Sequence, residues 1–181
     1  MGGAQARWLE NVVVKDQPKA ARFAKRGNWQ MNSSELLMRH GRLLMKVGVV
    51  LLLFLSFEGF AIEGLAAPQL GLSAHKLAGL ESVLLLALGL AWPTLRLSAA
   101  ASRAAFWLLI YSALSILAAY VFGALWGAGA ETMRLAAAGA RGTQVQETTI
   151  MVLAYSSAPT GLVAFALILW GLRDRARGEV L

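Results

Sequence analysis

The sequence lacks cysteine and contains only two histidines, His40 and His75, among its 181 residues. Without thiols the chain cannot form disulfides, thiolate nucleophiles, cysteine-bound zinc sites or iron–sulfur clusters. Charged residues are also scarce, because they make up 15 % of the chain, against roughly 25 % in soluble domains. Hydrophobic residues account for 57 %, and the mean hydropathy is +0.58. Too few polar side chains remain to cover a surface in water, so the composition predicts a membrane protein.

Four segments carry few or no charges and are long enough to cross about 30 Å of hydrocarbon as α-helices. No charged residue lies in the 27 residues between Arg103 and Glu131, or in the 25 residues between Glu147 and Arg173. We therefore predict an all-α fold, an integral membrane bundle of four transmembrane helices within residues 33–175. The expected spans are about 43–65, 77–95, 105–126 and 149–172.

Lysine and arginine are distributed unevenly around these spans, within a net charge of +7. Fourteen of the seventeen lie before residue 47, in the 96–104 loop or after residue 172, and three lie in the other two loops. Because basic residues are enriched on cytoplasmic flanks, both termini are expected in the cytoplasm, at a bacterial inner membrane. Residues 1–32 are then a basic cytoplasmic tail and residues 176–181 a second one. Basic residues that flank spans do not indicate a nucleic-acid partner.

The sequence Asn32-Ser-Ser-Glu35 is typical of a capping box, which predicts that the first helix begins near Ser33. That helix would run for about 30 residues, with one cytosolic stretch before the bilayer.

Three carboxylates, Glu58, Glu63 and Glu81, lie in or beside the first two spans, where a charge costs from a few to more than ten kcal/mol, and Glu63 is close enough to the outer interface to reach water. Glu58 either makes a helix–helix hydrogen bond or belongs to a site, and the sequence leaves both open. For Glu81 we favour a functional role. His75, at the outer end of the second span, is either an ordinary interface residue or a metal ligand. Six residues separate it from Glu81, about 120° around a helix, so a site using both would lie between subunits.

The third span carries Ser112 and Tyr120, which fall within about 80° of each other on a helix and are expected to line one pocket. The alternative is that the serine packs between helices and the tyrosine lies at the membrane interface. The fourth span contains a polar patch at residues 156–161, which serves either packing or a pocket.

A series of short motifs runs along the chain from residue 40 to residue 173. They are His40-Gly41, Gly71-Leu-Ser-Ala-His75, Trp92-Pro93, Trp126-Gly-Ala-Gly129, Gln146-Glu147 and Leu169-Trp-Gly-Leu-Arg173. In order and spacing this series resembles the hydroxylaminobenzene mutases and styrene oxide isomerases, over roughly residues 38–173. The resemblance implies a four-span membrane enzyme that binds haem b between the subunits of a trimer.

The resemblance also implies roles for individual residues. His75 matches the histidine that ligates the haem iron, and Tyr120 matches the tyrosine beside the substrate. Glu81 stands where these proteins have asparagine, and Ser112 stands where the epoxide isomerases have aspartate. A ferric haem with one protein ligand keeps an open coordination position, at which iron acts as a Lewis acid on a substrate oxygen. The two departures put an epoxide substrate in doubt more than they do the cofactor.

We therefore expect an isomerase in the lipid bilayer, a homotrimer that converts a small aromatic hydroxylamine into an aminophenol. Tyr120, Glu81 and Ser112 are its expected catalytic residues, and Glu81 would move a proton. One alternative is an epoxide isomerase that yields an aldehyde. A second, from another class, is a proton-coupled exporter of small cations with an essential membrane glutamate. A third is a subunit that only anchors haem.

Overall fold

In a computed structural model of the chain, the structure describes residues 34–173, which contain helices and no β-strand. Residue 34 opens α1, which is helical to residue 61 and continues into a 3₁₀ turn, Ile62–Gly64. The other helices are α2 (Pro68–Ala91, followed by the 3₁₀ turn Trp92–Thr94), α3 (Ala99–Trp126), the short α4 (Arg134–Ala137) and α5 (Gln144–Leu172). The all-α prediction is confirmed.

Residues Leu37–Leu181 form one compact unit, to which the following description refers. Of the other unit, Met1–Leu36, the structure describes only the last three residues, which are helical. The expected tails, residues 1–32 and 176–181, and the capping residue Ser33 lie outside the described residues.

Within residues 34–173 four helices are long and apolar enough to cross a membrane, as the sequence predicts. Their bounds, including the 3₁₀ turns, are Ser34–Gly64, Pro68–Thr94, Ala99–Trp126 and Gln144–Leu172. Many large apolar side chains on these helices are exposed, among them Phe60, Leu80 and Leu169. Exposed apolar surface of this extent suits a bundle whose solvent is lipid.

The second helix begins nine residues before the apolar run that starts at residue 77. Pro68 occupies its first turn, where a missing N–H costs nothing. Within this helix the Ser73 hydroxyl donates to the Gln69 carbonyl at 2.9 Å, which satisfies the hydroxyl inside the helix. His75 therefore lies inside α2, two turns from its start, and Glu81 lies near the middle of the helix.

Helices α1 and α2 form an antiparallel hairpin whose backbones touch at glycines. A Cβ atom on Gly41 would lie 2.6 Å from the Gly89 carbonyl oxygen, and one on Gly89 would lie 2.8 Å from the Gly41 oxygen. Similarly, a Cβ atom on Gly48 would lie 2.9 Å from the Ser82 carbonyl oxygen. Small residues permit such approach in membrane helices, and these contacts fix the register of the hairpin.

Helices α3 and α5 pack antiparallel and exchange side-chain hydrogen bonds near their middles. The Tyr111 and Ser156 hydroxyls lie 2.9 Å apart, and the Ser112 hydroxyl donates to the Ser157 carbonyl at 2.8 Å. At its end α3 stops at Gly127, whose φ of 62° is left-handed, as is usual for glycine after a helix. The loop that follows, with α4 in it, leads into α5.

Candidate functional site

The clearest polar contact between two spans joins His75 on α2 to Glu58 on α1. The distance from Nδ1 of the imidazole to Oε2 of the carboxylate is 2.9 Å. An ionised carboxylate can only accept, so with Glu58 ionised Nδ1–H donates this bond and Nε2 of a neutral ring carries no hydrogen. The His75 side chain is 34 % exposed, whereas that of Glu58 is 10 % exposed. The imidazole therefore has one nitrogen engaged by the protein and one available to a ligand.

A glycine makes room for this ring. A Cβ atom on Gly59 would lie 3.1 Å from Cε1 of His75, so the imidazole packs directly on the α1 backbone. One oxygen of Glu58 accepts from His75, while the other, Oε1, is buried and has no hydrogen-bond partner. The pair is thus held by packing on one side and has unused hydrogen-bonding capacity on the other.

The predicted site residues lie at different depths in the bundle. The Leu70 side chain contacts α3 at Gly123, which sets a common level for these two antiparallel helices. Eleven residues separate Leu70 from Glu81, and eleven separate Gly123 from Ser112. At 1.5 Å per residue both lie about 16 Å from that level, against about 8 Å for His75.

By the same measure Tyr120, three residues from Gly123, lies about 5 Å from that level. Tyr120 is therefore the shallowest of the predicted site residues and lies close to the loop between α3 and α5.

Glu81 is buried, with 8 % of its surface exposed, on the face of α2 that also carries Ala78 and Leu85. Its Oε2 atom has no hydrogen-bond partner. His75 instead lies beside α1, so the structure does not bring these two side chains together within one protomer. A buried carboxyl group without a partner is costly at membrane depth and is typical of a functional position.

Tyr120 lines an open cleft of about 500 Å³ at the loop end of the bundle. Tyr155 of α5 lies in the same lining, together with residues 131–136 of the loop and α4. Thr132, within that segment, has a buried hydroxyl oxygen without a hydrogen-bond partner. The cleft is thus lined by two phenol rings and by a segment that holds one buried hydroxyl oxygen without a partner.

Ser112 does not line this cleft. Its hydroxyl donates across the bundle to Ser157, and a Cβ atom on Gly161 would lie 2.6 Å from its Oγ. This cleft is therefore not a pocket that Ser112 shares with Tyr120, and their common pocket stays a prediction. The polar patch of α5 serves in part as the acceptor surface for α3.

Glu147, near the start of α5, ties down the loop that forms the cleft. Its Oε1 accepts from the backbone N–H groups of Gly129 and Gly142, each at 2.9 Å, and its Oε2 accepts from Glu131 at 3.2 Å. The residue is 2 % exposed. Thr143 caps the same helix in a capping box with Gln146. Sequence reasoning named Glu147 in a motif and gave it no role.

His40, the other histidine, lies at the opposite end of the bundle. Trp92 Nε1–H donates to the Ser102 hydroxyl at 3.2 Å, and that hydroxyl lies 3.0 Å from Nδ1 of His40. The imidazole stacks on Phe106 with ring centroids 4.5 Å apart and is 6 % exposed. His40 is therefore a satisfied core residue that joins α1 to α3.

Two contacts that sequence reasoning missed have signals in the sequence. Glu58 and His75 lie eight and nine residues from Ala66, which is the tip of the α1–α2 hairpin. Residues at similar distances from the turn of an antiparallel helix pair lie at similar depths, so this spacing is consistent with the contact. A glutamate in the first turns of a helix, after a loop rich in glycine, is likewise typical of a carboxylate that binds backbone N–H groups.

These features define a class: a four-helix integral membrane protein that holds ionisable side chains within its spans and an open cleft at one end. Residues 34–173 match the family model described as styrene oxide isomerase. The chain therefore belongs to the styrene oxide isomerase family and is a membrane isomerase or mutase. No solved structure matches it.

Two relatives from Ectopseudomonas oleovorans are similar to this chain. Hydroxylaminobenzene mutase HabB is 40 % identical over 133 residues, which cover 74 % of this chain and 81 % of the relative. Hydroxylaminobenzene mutase HabA is 33 % identical over 129 residues, 71 % of this chain and 96 % of the relative. The names of both relatives agree with the resemblance noted in the sequence.

Proposed function

We propose that this protein rearranges a small aryl hydroxylamine to an aminophenol, with ferric haem b held by His75. The observation that carries the substrate class is the similarity to two hydroxylaminobenzene mutases along most of their length. The observation that carries the cofactor is the His75 imidazole, half-exposed with Nδ1 engaged by Glu58.

The side chains present fit a haem better than a free metal ion. Within residues 34–173 no group of three or more His, Cys, Asp or Glu side chains could hold an ion. A haem would bring four nitrogen ligands of its own and could be held by a single histidine from the protein. His40 is unsuited, because it is 6 % exposed and its ring stacks on Phe106 inside the core, so a haem could not reach it. His75 Nε2 is the nitrogen that fits.

When bound, the ferric haem would supply a Lewis acid for the hydroxyl oxygen of the substrate. The rearrangement breaks the N–O bond and forms a C–O bond on the ring. The ring carbon loses one proton and the nitrogen gains one, so neither reductant nor net water is consumed. The protein must therefore exclude water and handle one proton.

Glu81 is the group proposed to move that proton, because it is buried in the second span with an oxygen free of partners. Tyr120, in the cleft, would orient the substrate by its hydroxyl and ring face. The hydroxyl hydrogen of Ser112 is bonded to α5, so its contribution is to hold α3 against α5 at the depth of Glu81.

His75 and Glu81 lie on different faces of α2, which supports a site built between copies of the chain. We propose a homotrimer in which His75 of one copy and Glu81 of the next face one haem. We also propose that both termini lie in the cytoplasm at a bacterial inner membrane, and the basic flanks support this orientation. The bond from the Arg96 N–H to the Gly171 carbonyl, at 2.9 Å, brings the arginine of the 96–104 loop to the C-terminal end.

The second candidate is an epoxide isomerase, which the family description favours. An epoxide also presents an oxygen lone pair to a Lewis acid, and its rearrangement is also internal. Membership in a family of isomerases argues against the exporter and against a subunit that only anchors haem.

The test is to purify the chain in detergent, record its absorption spectrum, and assay hydroxylaminobenzene and styrene oxide separately. We expect a Soret band, aminophenol from the first substrate, and loss of both in His75→Ala. Lys76→Ala, an exposed neighbour on the same helix, is the matched control. Haem retained by His75→Ala would refute the ligand assignment. Faster turnover of styrene oxide would favour the second candidate.

A further inference from the structure

The geometry of the Glu58–His75 pair does more than give two polar groups a hydrogen-bond partner. We propose that Glu58 is the positioning residue of the haem ligand. It holds the His75 ring so that Nε2 faces the iron, and it makes that nitrogen a stronger electron-pair donor to the iron. The inference rests on the proposed function of His75.

The first argument is the orientation of the ring. Nδ1 points at Glu58 Oε2 at 2.9 Å, and the adjacent Gly59 leaves 3.1 Å between its Cβ position and Cε1 of His75. Hydrogen bond and backbone contact together restrict rotation of the imidazole. The bond also selects the tautomer, because the hydrogen on Nδ1 leaves a lone pair on Nε2.

The second argument is the rigidity of the support. Glu58 and His75 come from different helices, so their distance depends on the register of α1 against α2. That register is fixed by backbone contacts of Gly48 and Gly41, whose Cβ positions lie 2.9 and 2.6 Å from carbonyl oxygens of α2. The carboxylate is therefore held at a fixed distance from the ring.

The third argument is electronic. A carboxylate that accepts the N–H of a ligating imidazole increases the electron density of the ring and raises its basicity as a ligand. A more basic ligand favours ferric over ferrous iron, and Lewis-acid chemistry needs the ferric state. Glu58 would thus help to keep the cofactor in the oxidation state that the reaction uses.

A purely structural role makes a different prediction. If the pair only satisfies two polar groups in the membrane, replacing Glu58 changes the stability of the fold and leaves the cofactor's properties unaltered. Haem affinity and the ferric/ferrous midpoint potential therefore separate the two roles, and neither depends on turnover.

The experiment compares Glu58→Gln and Glu58→Leu with the unaltered chain, each purified as the full-length protein in detergent. Haemin is titrated into haem-depleted samples, and the midpoint potential is measured by spectroelectrochemistry. We expect Glu58→Leu to bind haemin about 10- to 100-fold more weakly and to have a higher midpoint potential. Glu58→Gln keeps a carbonyl acceptor for Nδ1–H without the charge. It should therefore retain more affinity than Glu58→Leu while its potential still rises.

Glu63→Gln is the matched control, because Glu63 is an exposed carboxylate on the turn that ends the same hairpin. Thermal unfolding of each apo-protein identifies variants that fail to fold. If Glu58→Leu does not fold, the test is the ferric/ferrous midpoint potential of haem bound to Glu58→Gln.

The outcomes separate the two proposals. If His75→Ala binds haemin as the unaltered chain does, the ligand assignment itself is refuted. If His75→Ala loses haemin while both Glu58 variants keep the original affinity and potential, the positioning role is overturned and the ligand assignment stands.

Discussion

Replacing Glu147 should release the loop that forms the cleft. Its carboxylate accepts three backbone N–H groups and is almost fully buried. A hydrogen bond to a charged acceptor contributes about 1.5–3 kcal/mol. We assign about 2 kcal/mol to the bond from the buried Gly129 N–H and about 1 kcal/mol to each bond from the half-buried N–H groups of Glu131 and Gly142. Glu147→Ala should therefore lower the free energy of unfolding by about 4 kcal/mol. In a chain of this length that corresponds to a midpoint about 10 °C lower.

Two further variants sharpen this prediction. Glu147→Gln keeps an oxygen for Gly129 and Gly142, which share Oε1, and places an NH₂ group opposite the Glu131 N–H. It should lose about half as much stability as Glu147→Ala. Glu131→Gln, which alters an exposed side chain of the same loop, should leave unfolding unchanged.

The assay is thermal unfolding of the detergent-purified protein, followed by helical circular dichroism or by light scattering. Because the loop lines the cleft, Glu147→Ala should also raise KM more than it lowers kcat. An unfolding midpoint in Glu147→Ala within about 1 °C of that of the unaltered chain would refute the reasoning. In a chain of this length, a loss of roughly 4 kcal/mol in the free energy of unfolding must produce a larger shift.

Three other changes test the bundle itself. Glu81→Gln should reduce turnover about 100-fold or more with little change in unfolding; a near-normal rate would leave Glu81 a structural role only. Ser112→Ala should cost about 0.6 kcal/mol, the usual value of a hydrogen bond between membrane helices, and change turnover less than fivefold; a loss as large as that of Glu81→Gln would place the serine on the substrate. Gly89→Ala forces a methyl group against the Gly41 carbonyl and should cost about 1–3 kcal/mol, whereas Gly79→Ala, whose nearest neighbours would lie at 3.9 Å, should unfold like the unaltered chain.

The four helices could be predicted from the sequence because lipid allows few other structures. Apolar segments of about 20 residues must satisfy their own backbone hydrogen bonds, so hydropathy alone indicates helices. The start of α2 at Pro68 could not be placed in the same way. Its first nine residues mix apolar side chains with Gln69, Ser73, His75 and Lys76, so hydropathy does not mark them as part of a span.

The contacts of the site were harder to predict, because they depend on register. The sequence leaves two interpretations of Glu58 open. The register that the glycine contacts give to α1 and α2 puts Glu58 opposite His75. Ser112 and Tyr120 share a helix face, but the serine hydroxyl bonds to a carbonyl of α5. Which polar groups find partners across a bundle is decided by helix rotation, and hydropathy does not specify it.

The backbone contacts at Gly41, Gly48 and Gly89 between α1 and α2 affect how the sequence of this enzyme can evolve. The stiff hairpin carries the His75–Glu58 pair, while the cleft is formed elsewhere, by residues 131–136 and side chains of α3 and α5. In the proposed site, substitutions at the cleft would therefore alter which substrates enter without changing the residues that hold the imidazole. Under the proposed function this division would let substrate range evolve separately from the haem ligand, and laboratory evolution of this chain should begin at residues 131–136.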